Sequence, residues 1–369
     1  MARAHILLAG GGTGGHIYPL IAVAQKLQGN DIRYFGQAGN YKKLLIEQGI
    51  KVTSISSSKL RRYASILNFL DFFKFFYGFI QALFKIYFFM PEVMFSKSGP
   101  GVLPIIYAAR WYRIPVVIHE SDAVPGLTTR ASATHAAIVE LAFENAQPYF
   151  KKNKIVHVVG NPVRESVLPR ESPAVCREAL GLTDAKPILL FLGGSQGAQA
   201  INDFVLEHSE QLLANYEIIH QVGAANYPSY KAEFEFMTKN FRPELKANYS
   251  VYPYLNDQDL SRALTAADLV VSRAGSSVFE IAASGKPAVL IPLASSAHNH
   301  QVENAYAYQT AGAGIVIEEE NLLPGIFMTQ VEKVLNNKEL YGKMSAAATA
   351  FYTPEAAQQI AHDVLALAA

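Results

Sequence analysis

Ile6-Leu7-Leu8-Ala9-Gly10-Gly11-Gly12-Thr13-Gly14-Gly15-His16 is the stretch that decides the fold. Four apolar residues run straight into glycines, and a helical pattern, Tyr18–Leu27, follows. A strand feeding a glycine-rich turn and then a helix is a site for phosphate or pyrophosphate. Glycine lets backbone N–H groups approach an anion with no Cβ in the way, and the helix adds its positive N-terminal end. The loop contains G-x-G-x-x-G at Gly10, Gly12 and Gly15, but the second strand ends Arg33-Tyr34-Phe35-Gly36-Gln37, with no acid to hold a dinucleotide ribose. No Gly-Lys-Ser/Thr follows, so a Walker A loop is absent as well. The apolar run Ile6–Ala9 is too short for a signal peptide and reads as the first strand of a fold that is not exported.

The same design returns at Gly193-Gly194-Ser195-Gln196-Gly197-Ala198, after the apolar run Ile188–Leu192 and before a helical pattern over 200–213. One such loop is as often a tight turn as a binding site; two, one per half, point to binding. Between them, short apolar runs alternate with helical patterns: Arg33–Phe35, Val52–Ile55, Val93–Phe95, Val116–His119, Ala137–Ala142 and Ile155–Val159, then Glu217–Gln221, Tyr249–Tyr252, Leu269–Ser272, Ala288–Ile291 and Gly314–Ile317. Uninterrupted apolar strands separated by helices such as Val102–Tyr112, Ile201–Leu213 and Phe327–Leu335 predict an α/β protein of parallel sheets covered on both faces. The 369 residues fit two domains. The proline-rich, polar stretch after Gly160-Asn161-Pro162 places the boundary, with a first domain over 1–163, a second over 164–352, and an alanine-rich helix over 353–369.

A net charge of +1, from 32 basic and 31 acidic residues, gives no sign of a nucleic-acid partner. The lone Cys176 excludes an internal disulfide and a cysteine-rich zinc site and fits a reducing compartment. The stretch 60–90 is crowded with aromatics, including Phe69, Phe72, Phe73, Phe75, Phe76, Phe79, Phe84, Phe88 and Phe89. Its longest charge-free piece, Phe75 to Phe84, falls short of the ~20 apolar residues a spanning helix needs. With Arg61, Arg62, Lys74 and Lys85 interleaved, it reads either as a buried core helix with a solvated loop or as a helix lying in a membrane interface.

Two further polar clusters follow buried strands. Ser272-Arg273-Ala274-Gly275-Ser276-Ser277 opens a helix carrying Glu280, placed to accept from the two hydroxyls of a ribose or merely to cap the helix. Pro292 to Asn304 is rich in amide and imidazole groups, which suit sugar hydroxyls. His298 and His300 have no third ligand at a recognisable spacing, so no metal site is expected.

Gly11-Gly12-Thr13-Gly14-Gly15-His16, His119-Glu120, Gly160-Asn161-Pro162-Val163-Arg164, Gly193-Gly194-Ser195-Gln196-Gly197-Ala198, His220-Gln221-Val222-Gly223, Ser272-Arg273-Ala274-Gly275 and His300-Gln301 occur in this order. The ordered set, spread over nearly the whole chain, resembles the MurG family of bacterial glycosyltransferases. The resemblance implies a GT-B fold: two Rossmann-like parallel-sheet domains facing across a cleft, with the last helix packing back on the first. It implies inverting transfer of N-acetylglucosamine from UDP-N-acetylglucosamine to the polyprenyl-pyrophosphate-linked muramoyl-peptide of peptidoglycan synthesis, lipid I to lipid II, with no cofactor and no metal. It also implies a peripheral position on the cytoplasmic face of the cell membrane, docked through the stretch 60–90.

By position, Ser195, Gln196 and Gly197 would lie at the donor's phosphates and nucleotide. Leu255 would give a backbone contact to uracil, and Gly275, Ser276 and Glu280 would serve the ribose and pyrophosphate. His300 and Gln301 would read the sugar hydroxyls, and Arg164 would reach in from the hinge. Thr13, Gly14 and Gly15 would approach the donor, and their loop would also serve the acceptor pyrophosphate. Transfer needs a base for the acceptor hydroxyl and stabilisation of the leaving pyrophosphate. His16 is the candidate base, with a helix-capping histidine as the structural alternative; His119 and Glu120 would orient the acceptor or support His16.

Three positions depart from the family pattern. Ser96-Lys97-Ser98-Gly99-Pro100-Gly101 lacks the tyrosine that usually follows two glycines there. Asp122 stands where asparagine is common, and the run from Gly275 to Glu280 is one residue short. The competing readings are another GT-B glycolipid glycosyltransferase, a UDP-sugar epimerase, which would need a carboxylate pair such as Glu120 and Asp122, and a non-catalytic nucleotide-sugar-binding protein.

Overall fold

The computed structural model describes residues 3–57, 66–99, 101–153, 155–183, 186–194, 196–294 and 299–368, with side chains from 72 onward in the helix that starts at Ile66. Arg61, Arg62, Ser195 and His298, and the side chain of Phe69, lie outside the described set. The chain forms two compact units: Met1–Arg164 with Thr353–Ala369, and Glu165–Tyr352.

Unit 1 runs β1 (His5–Ala9), α1 (Gly14–Lys26), β2 (Asp31–Phe35), α2 (Lys42–Glu47), β3 (Lys51–Thr53), α3 (Ile66–Phe89), β4 (Val93–Ser96), α4 (Leu103–Trp111), β5 (Val116–Glu120), α5 (Leu127–Ala133), β6 (Ile138–Leu141) and β7 (Val156–Val158). Unit 2 runs α6 (Pro173–Ala179), β8 (Ile188–Leu192), α7 (Gln199–Glu207), α8 (Ser209–Asn215), β9 (Glu217–Gln221), α9 (Tyr227–Met237), α10 (Pro243–Ala247), β10 (Tyr249–Tyr252), α11 (Asp257–Ala266), β11 (Leu269–Ser272), α12 (Ser277–Ala283), β12 (Ala288–Leu290), α13 (His300–Thr310), β13 (Gly314–Val316), α14 (Pro324–Leu335) and α15 (Lys338–Phe351). The last helix, α16 (Ala356–Leu367), belongs to unit 1 and packs on α1.

Among the described residues each unit holds one sheet, ordered β3-β2-β1-β4-β5-β6-β7 and β10-β9-β8-β11-β12-β13, with every pairing parallel. Helices cover both faces, so the central strands β4, β5, β8 and β11 are buried along their whole length, which is why their sequences are apolar runs with polar residues (Ser96, His119, Glu120, Ser272) only at the carboxyl ends. Both orders reverse direction once: between β1 and β4 in unit 1, and between β8 and β11 in unit 2. In open parallel sheets the crevice at such a switch point, at the strands' carboxyl ends, is where ligands bind.

Two helices differ from the sequence pattern. The first begins at Gly14 rather than Tyr18, with Thr13 extended as its cap residue (φ −110°, ψ 160°). Glycines are poor helix formers, but the amides of a first turn have no intrahelical acceptor in any case, so Gly14 and Gly15 cost little there. The pattern over 201–213 is broken into α7 and α8 at His208 (φ −109°, ψ 19°), whose ring meets Phe204 edge-on, centroids 4.9 Å apart.

The aromatic stretch is a 24-residue helix, α3, packed against α4. Its window Phe72–Phe89 has a mean hydropathy of 1.3, long and apolar enough by length and composition to cross a membrane, although only 22 % of it is buried. The two lysines inside the window interrupt the charge-free run and lower that average, yet it stays high enough for a span. What separates this helix from a free span is one stripe: Gly78, Ala82, Ile86 and Phe89 face the protein. At Gly78 a Cβ would stand 2.0 Å from the Ser56 carbonyl oxygen. Phe72, Phe73, Phe76, Tyr77, Phe84, Tyr87 and Phe88 are exposed, together with Lys74 and Lys85.

A polar clasp holds α16 to the sheet. His157 Nδ1 lies 2.8 Å from Asp363 Oδ2 and 3.5 Å from Glu140 Oε1. These three side chains are close enough to share a cation, each offering one ligand atom within 4.8 Å of the others. His157 is at hydrogen-bond distance from Asp363, and the Glu140 carboxyl lies beside both. Burial, with Asp363 beside it, pushes the Glu140 carboxyl up to about 9, while hydrogen bonds to Glu140, His362 and His157 hold Asp363 low against its own burial. The folded chain therefore keeps a proton on Glu140 that the unfolded chain releases above about pH 4.5, and stability falls as pH rises through that window. Glu140→Gln keeps a neutral donor facing Asp363 and does not titrate. In urea unfolding at a series of pH values, its stability relative to the native chain should rise by about 1–3 kcal/mol between acid and pH 9. A difference independent of pH would refute the protonated Glu140.

Candidate functional site

In unit 1 the turns after β1 and β4 meet at the switch point. Tyr34 Oη donates to the Gly10 carbonyl at 2.8 Å and fixes the start of the first glycine loop. A Cβ on Gly12 would stand 2.7 Å from the Gln37 carbonyl, and one on Gly11 2.9 Å from His16 Nδ1. Gly99 (φ +98°) closes the other side, where a Cβ would fall 2.6 Å from His16 Nε2. The glycines thus make room for one imidazole as well as for an anion. His16 Nδ1 lies 2.8 Å from Thr13 Oγ1, so Thr13 holds the ring rather than capping α1 with its hydroxyl. For Nε2 to act as a base, Nδ1 must carry the proton and donate it to Thr13. Gly14 and Gly15 form the first turn of α1, at its positive end.

Beneath this loop is a group the sequence reading did not single out. Lys97 follows β4 and is 2 % exposed. Its Nζ lies 2.6 Å from His119 Nδ1 and 3.2 Å from Asn161 Oδ1, and it also donates to Ser121 Oγ. His119 Nε2 lies 2.9 Å from the Gly160 carbonyl, which can only accept, so the proton sits on Nε2 and Nδ1 accepts from the lysine. Burial and the neighbouring lysine hold His119 well below the ordinary histidine range, in its neutral form. Burial draws Lys97 down to about 7 against the charges of Glu120 and Asp122; burial and Asp122 push Glu120 up to about 7. Glu120 Oε1 accepts from the Asp122 amide at 3.1 Å. The structure therefore brings His16, His119, Glu120 and Asp122 together at one sheet edge. Arg164, buried, stacks on the Tyr18 ring of α1 with 3.5 Å to its centroid.

In unit 2 the turns after β8, β9, β10, β11 and β12 share the carboxyl edge of the sheet. Gly194 (φ +74°) and Gly197 (φ +81°) shape the second glycine loop around Gln196. Gln221, at the end of β9, ties it down: Nε2 donates to the Gly194 carbonyl at 3.0 Å, and Oε1 accepts from the Leu255 amide at 2.9 Å. The Leu255 N–H is thus used within the loop cluster itself. Asn226 Nδ2 donates to the Val222 carbonyl (3.0 Å) and the Gln196 carbonyl (3.4 Å). Across the switch point, Gly275 and Ser276 lead into α12, which carries a half-buried Glu280. Arg273 pairs with Glu319 and donates to the Ile291 carbonyl at 3.0 Å, so it braces this turn. His300 and Gln301 open α13; Gln301 Oε1 accepts from the Leu293 amide at 3.1 Å, which directs its amide nitrogen as the donor. Buried Asn304 donates to the Ala274 carbonyl at 3.1 Å and joins the last two turns.

Residues 6–139 match the glycosyltransferase family 28 N-terminal domain, and residues 188–360 match that family's C-terminal domain. A curated relative from Clostridium tetani, UDP-N-acetylglucosamine–N-acetylmuramyl-(pentapeptide) pyrophosphoryl-undecaprenol N-acetylglucosamine transferase, is 36% identical over 344 residues, 92% of each chain. Among solved structures, MurG from Acinetobacter baumannii superposes with a TM-score of 0.74 at 27% identity, covering 99% of this chain and 100% of that one. UDP-GlcNAc 2-epimerase from Neisseria meningitidis gives a TM-score of 0.66 at 14% identity, covering 98% of this chain and 100% of that one, a likeness of fold alone.

Two glycines in unit 2 should answer oppositely to alanine. A Cβ on Gly197 would meet the Val222 carbonyl at 2.2 Å from a left-handed backbone, whereas Gly275 has open space. Gly197→Ala should destabilise by about 2–4 kcal/mol and Gly275→Ala by under about 1 kcal/mol in urea unfolding, because only the first combines a left-handed strain with a backbone clash. Equal losses would show that the second loop is not held by close backbone approach.

Proposed function

The chain belongs to glycosyltransferase family 28, and we propose that it transfers N-acetylglucosamine from UDP-N-acetylglucosamine to the N-acetylmuramyl-pentapeptide pyrophosphoryl lipid, lipid I to lipid II of peptidoglycan synthesis. It is a hexosyltransferase of parallel-sheet α/β architecture. The observation that carries the reading is the end-to-end likeness to transferases named for this step, combined with a glycine loop at the switch point of each sheet.

The chemistry divides between the units. The acceptor hydroxyl attacks the anomeric carbon from the face opposite UDP, a new C–O bond forms, and the bond to the UDP oxygen breaks with inversion. The hydroxyl proton goes to His16 Nε2, whose ring Thr13 and the glycines hold in place. The acceptor pyrophosphate suits the amides of Thr13, Gly14 and Gly15 and the helix end behind them. On the donor side, Gln196 and Gly197, with Ser195 between Gly194 and Gln196 in sequence, take the leaving pyrophosphate. Leu255 takes uracil, and Gly275, Ser276 and Glu280 take the ribose. His300 and Gln301 read the sugar, and Arg164 adds a cation to the charge developing on UDP. Helix ends and side-chain cations meet the demand for charge stabilisation, so this reading needs no cofactor.

The membrane position follows from the acceptor's lipid. The exposed face of α3, with Lys74 and Lys85, and the exposed end of α4, Arg110, Trp111, Tyr112 and Arg113, present aromatics and cations as an interfacial helix does. On this reading the protein sits peripherally on the cytoplasmic face of the cell membrane.

With UDP-N-acetylglucosamine and the polyprenyl-pyrophosphate muramoyl-peptide, the native protein should release UDP in step with a disaccharide lipid, and His16→Ala should lower kcat by about 10²–10⁴-fold. UDP-N-acetylmannosamine formed without any acceptor would instead make it an epimerase. For docking, Phe76 and Phe88 are the side chains to change, since Phe75 is half-buried against Tyr107. Phe76→Ser with Phe88→Ser should weaken binding to anionic vesicles by about tenfold or more. Unchanged vesicle binding would remove α3 from the docking surface.

A further inference from the structure

Lys97 is buried, polar and central, yet no step above uses it. Of its three partners, His119 Nδ1 and Asn161 Oδ1 accept, and the Ser121 hydroxyl can accept or donate. An ammonium serves all three at once, and opposing charge lies close by. The charges facing it are those of Glu120, at the end of β5, and Asp122, in the turn beyond; His119 of β5 and His16 of α1 are the other titratable groups around the turn. With all its donors occupied and 2 % exposure, Lys97 cannot itself reach a substrate.

We propose that Lys97 is a positioning residue for the acceptor half of the reaction, its ammonium holding His119 in the Nε2–H form and locking the Glu120-Ser121-Asp122 turn beneath the first glycine loop. The assignment rests on the transferase reading above. It accounts for one departure from the family pattern: an aspartate at 122 is tolerable beside a buried cation, whereas two uncompensated carboxylates there would repel. Loss of the lysine proton at high pH removes the charge that compensates Glu120 and Asp122. The turn then loosens, and none of the lysine's partners belongs to unit 2.

Lys97→Met and Lys97→Arg, compared with the native protein from about pH 6 to about pH 9, test this. In Lys97→Met, kcat with the lipid-linked acceptor should fall about 100-fold while KM for UDP-N-acetylglucosamine moves less than about threefold. In Lys97→Arg, part of the rate should return, and the alkaline limb of the pH profile should shift upward, because a guanidinium stays charged. Full activity in Lys97→Met, or an equal loss on donor and acceptor sides, would overturn the proposal. A second measurement needs no variant: long-range proton–nitrogen correlation on histidine-labelled native protein should show His119 neutral with its proton on Nε2 across this range. A proton on Nδ1, or an imidazolium, would overturn it. A native protein with no turnover would sink the transferase reading instead, and the imidazole measurement then decides Lys97 by itself.

Discussion

An ammonium taken out of water loses several kcal/mol of hydration, and only hydrogen bonds to every proton with opposing charge close by can offset that loss. Lys97 meets both conditions, and each of its partners is fixed by doing so. His119 must present Nδ1 as an acceptor, so Nε2 must donate, and the Gly160 carbonyl is positioned to receive it. Gly160 takes a left-handed backbone (φ +79°) that brings it against Thr353, the first residue of the C-terminal segment. Asn161 is turned inward by the same cation. The chain from the end of β4 to the return of the C-terminus is thus tied through one nitrogen, and the loops at this edge of unit 1 inherit their positions from it.

The architecture was legible because parallel strands buried on both faces are written as unbroken apolar runs. Ile188–Leu192, Glu217–Gln221 and Leu269–Ser272 begin and end in the structure where the hydrophobic pattern does. Helix ends were less so. Gly14 looks like loop by propensity, yet a first-turn position does not depend on propensity. The break at His208 has no glycine or proline to announce it. The aromatic stretch was ambiguous for a different reason. Which phenylalanines face water depends on the stripe Gly78, Ala82, Ile86 and Phe89, and that stripe is recognisable only once the surface it meets is known.

The glycine loops and His16 could be read locally, since strand, glycines and helix are contiguous and their chemistry follows from backbone approach. Lys97 could not. A lysine in a Ser-rich turn looks solvated, and its burial is set by residues 22 to 64 positions away. The one available signal was indirect: Asp122, which departs from the family pattern, is one of the two charges that face it. Gln221 was similarly hidden. It sat inside a quoted motif, but its task, joining the Gly194 carbonyl to the Leu255 amide, joins segments from three strands' ends.

Both sheets use the same topological device, yet they equip it differently. In unit 2 the turns are joined, beside the Arg273–Glu319 ion pair, by neutral amides, Gln221, Asn226, Gln301 and Asn304, whose hydrogen bonds do not change with pH near neutrality. In unit 1 the turns are joined by groups that titrate, Lys97, His119 and Glu120, two of them drawn towards neutrality from opposite sides. That asymmetry matches what a glycosyl transfer asks of its two partners. A nucleotide sugar needs to be recognised and its leaving charge stabilised, which fixed dipoles do at no protonation cost. An acceptor hydroxyl must lose a proton, and the groups around it must tolerate a charge that moves. Lys97 and Glu120, drawn towards neutrality from opposite sides, can share one proton without leaving an isolated charge in the protein interior.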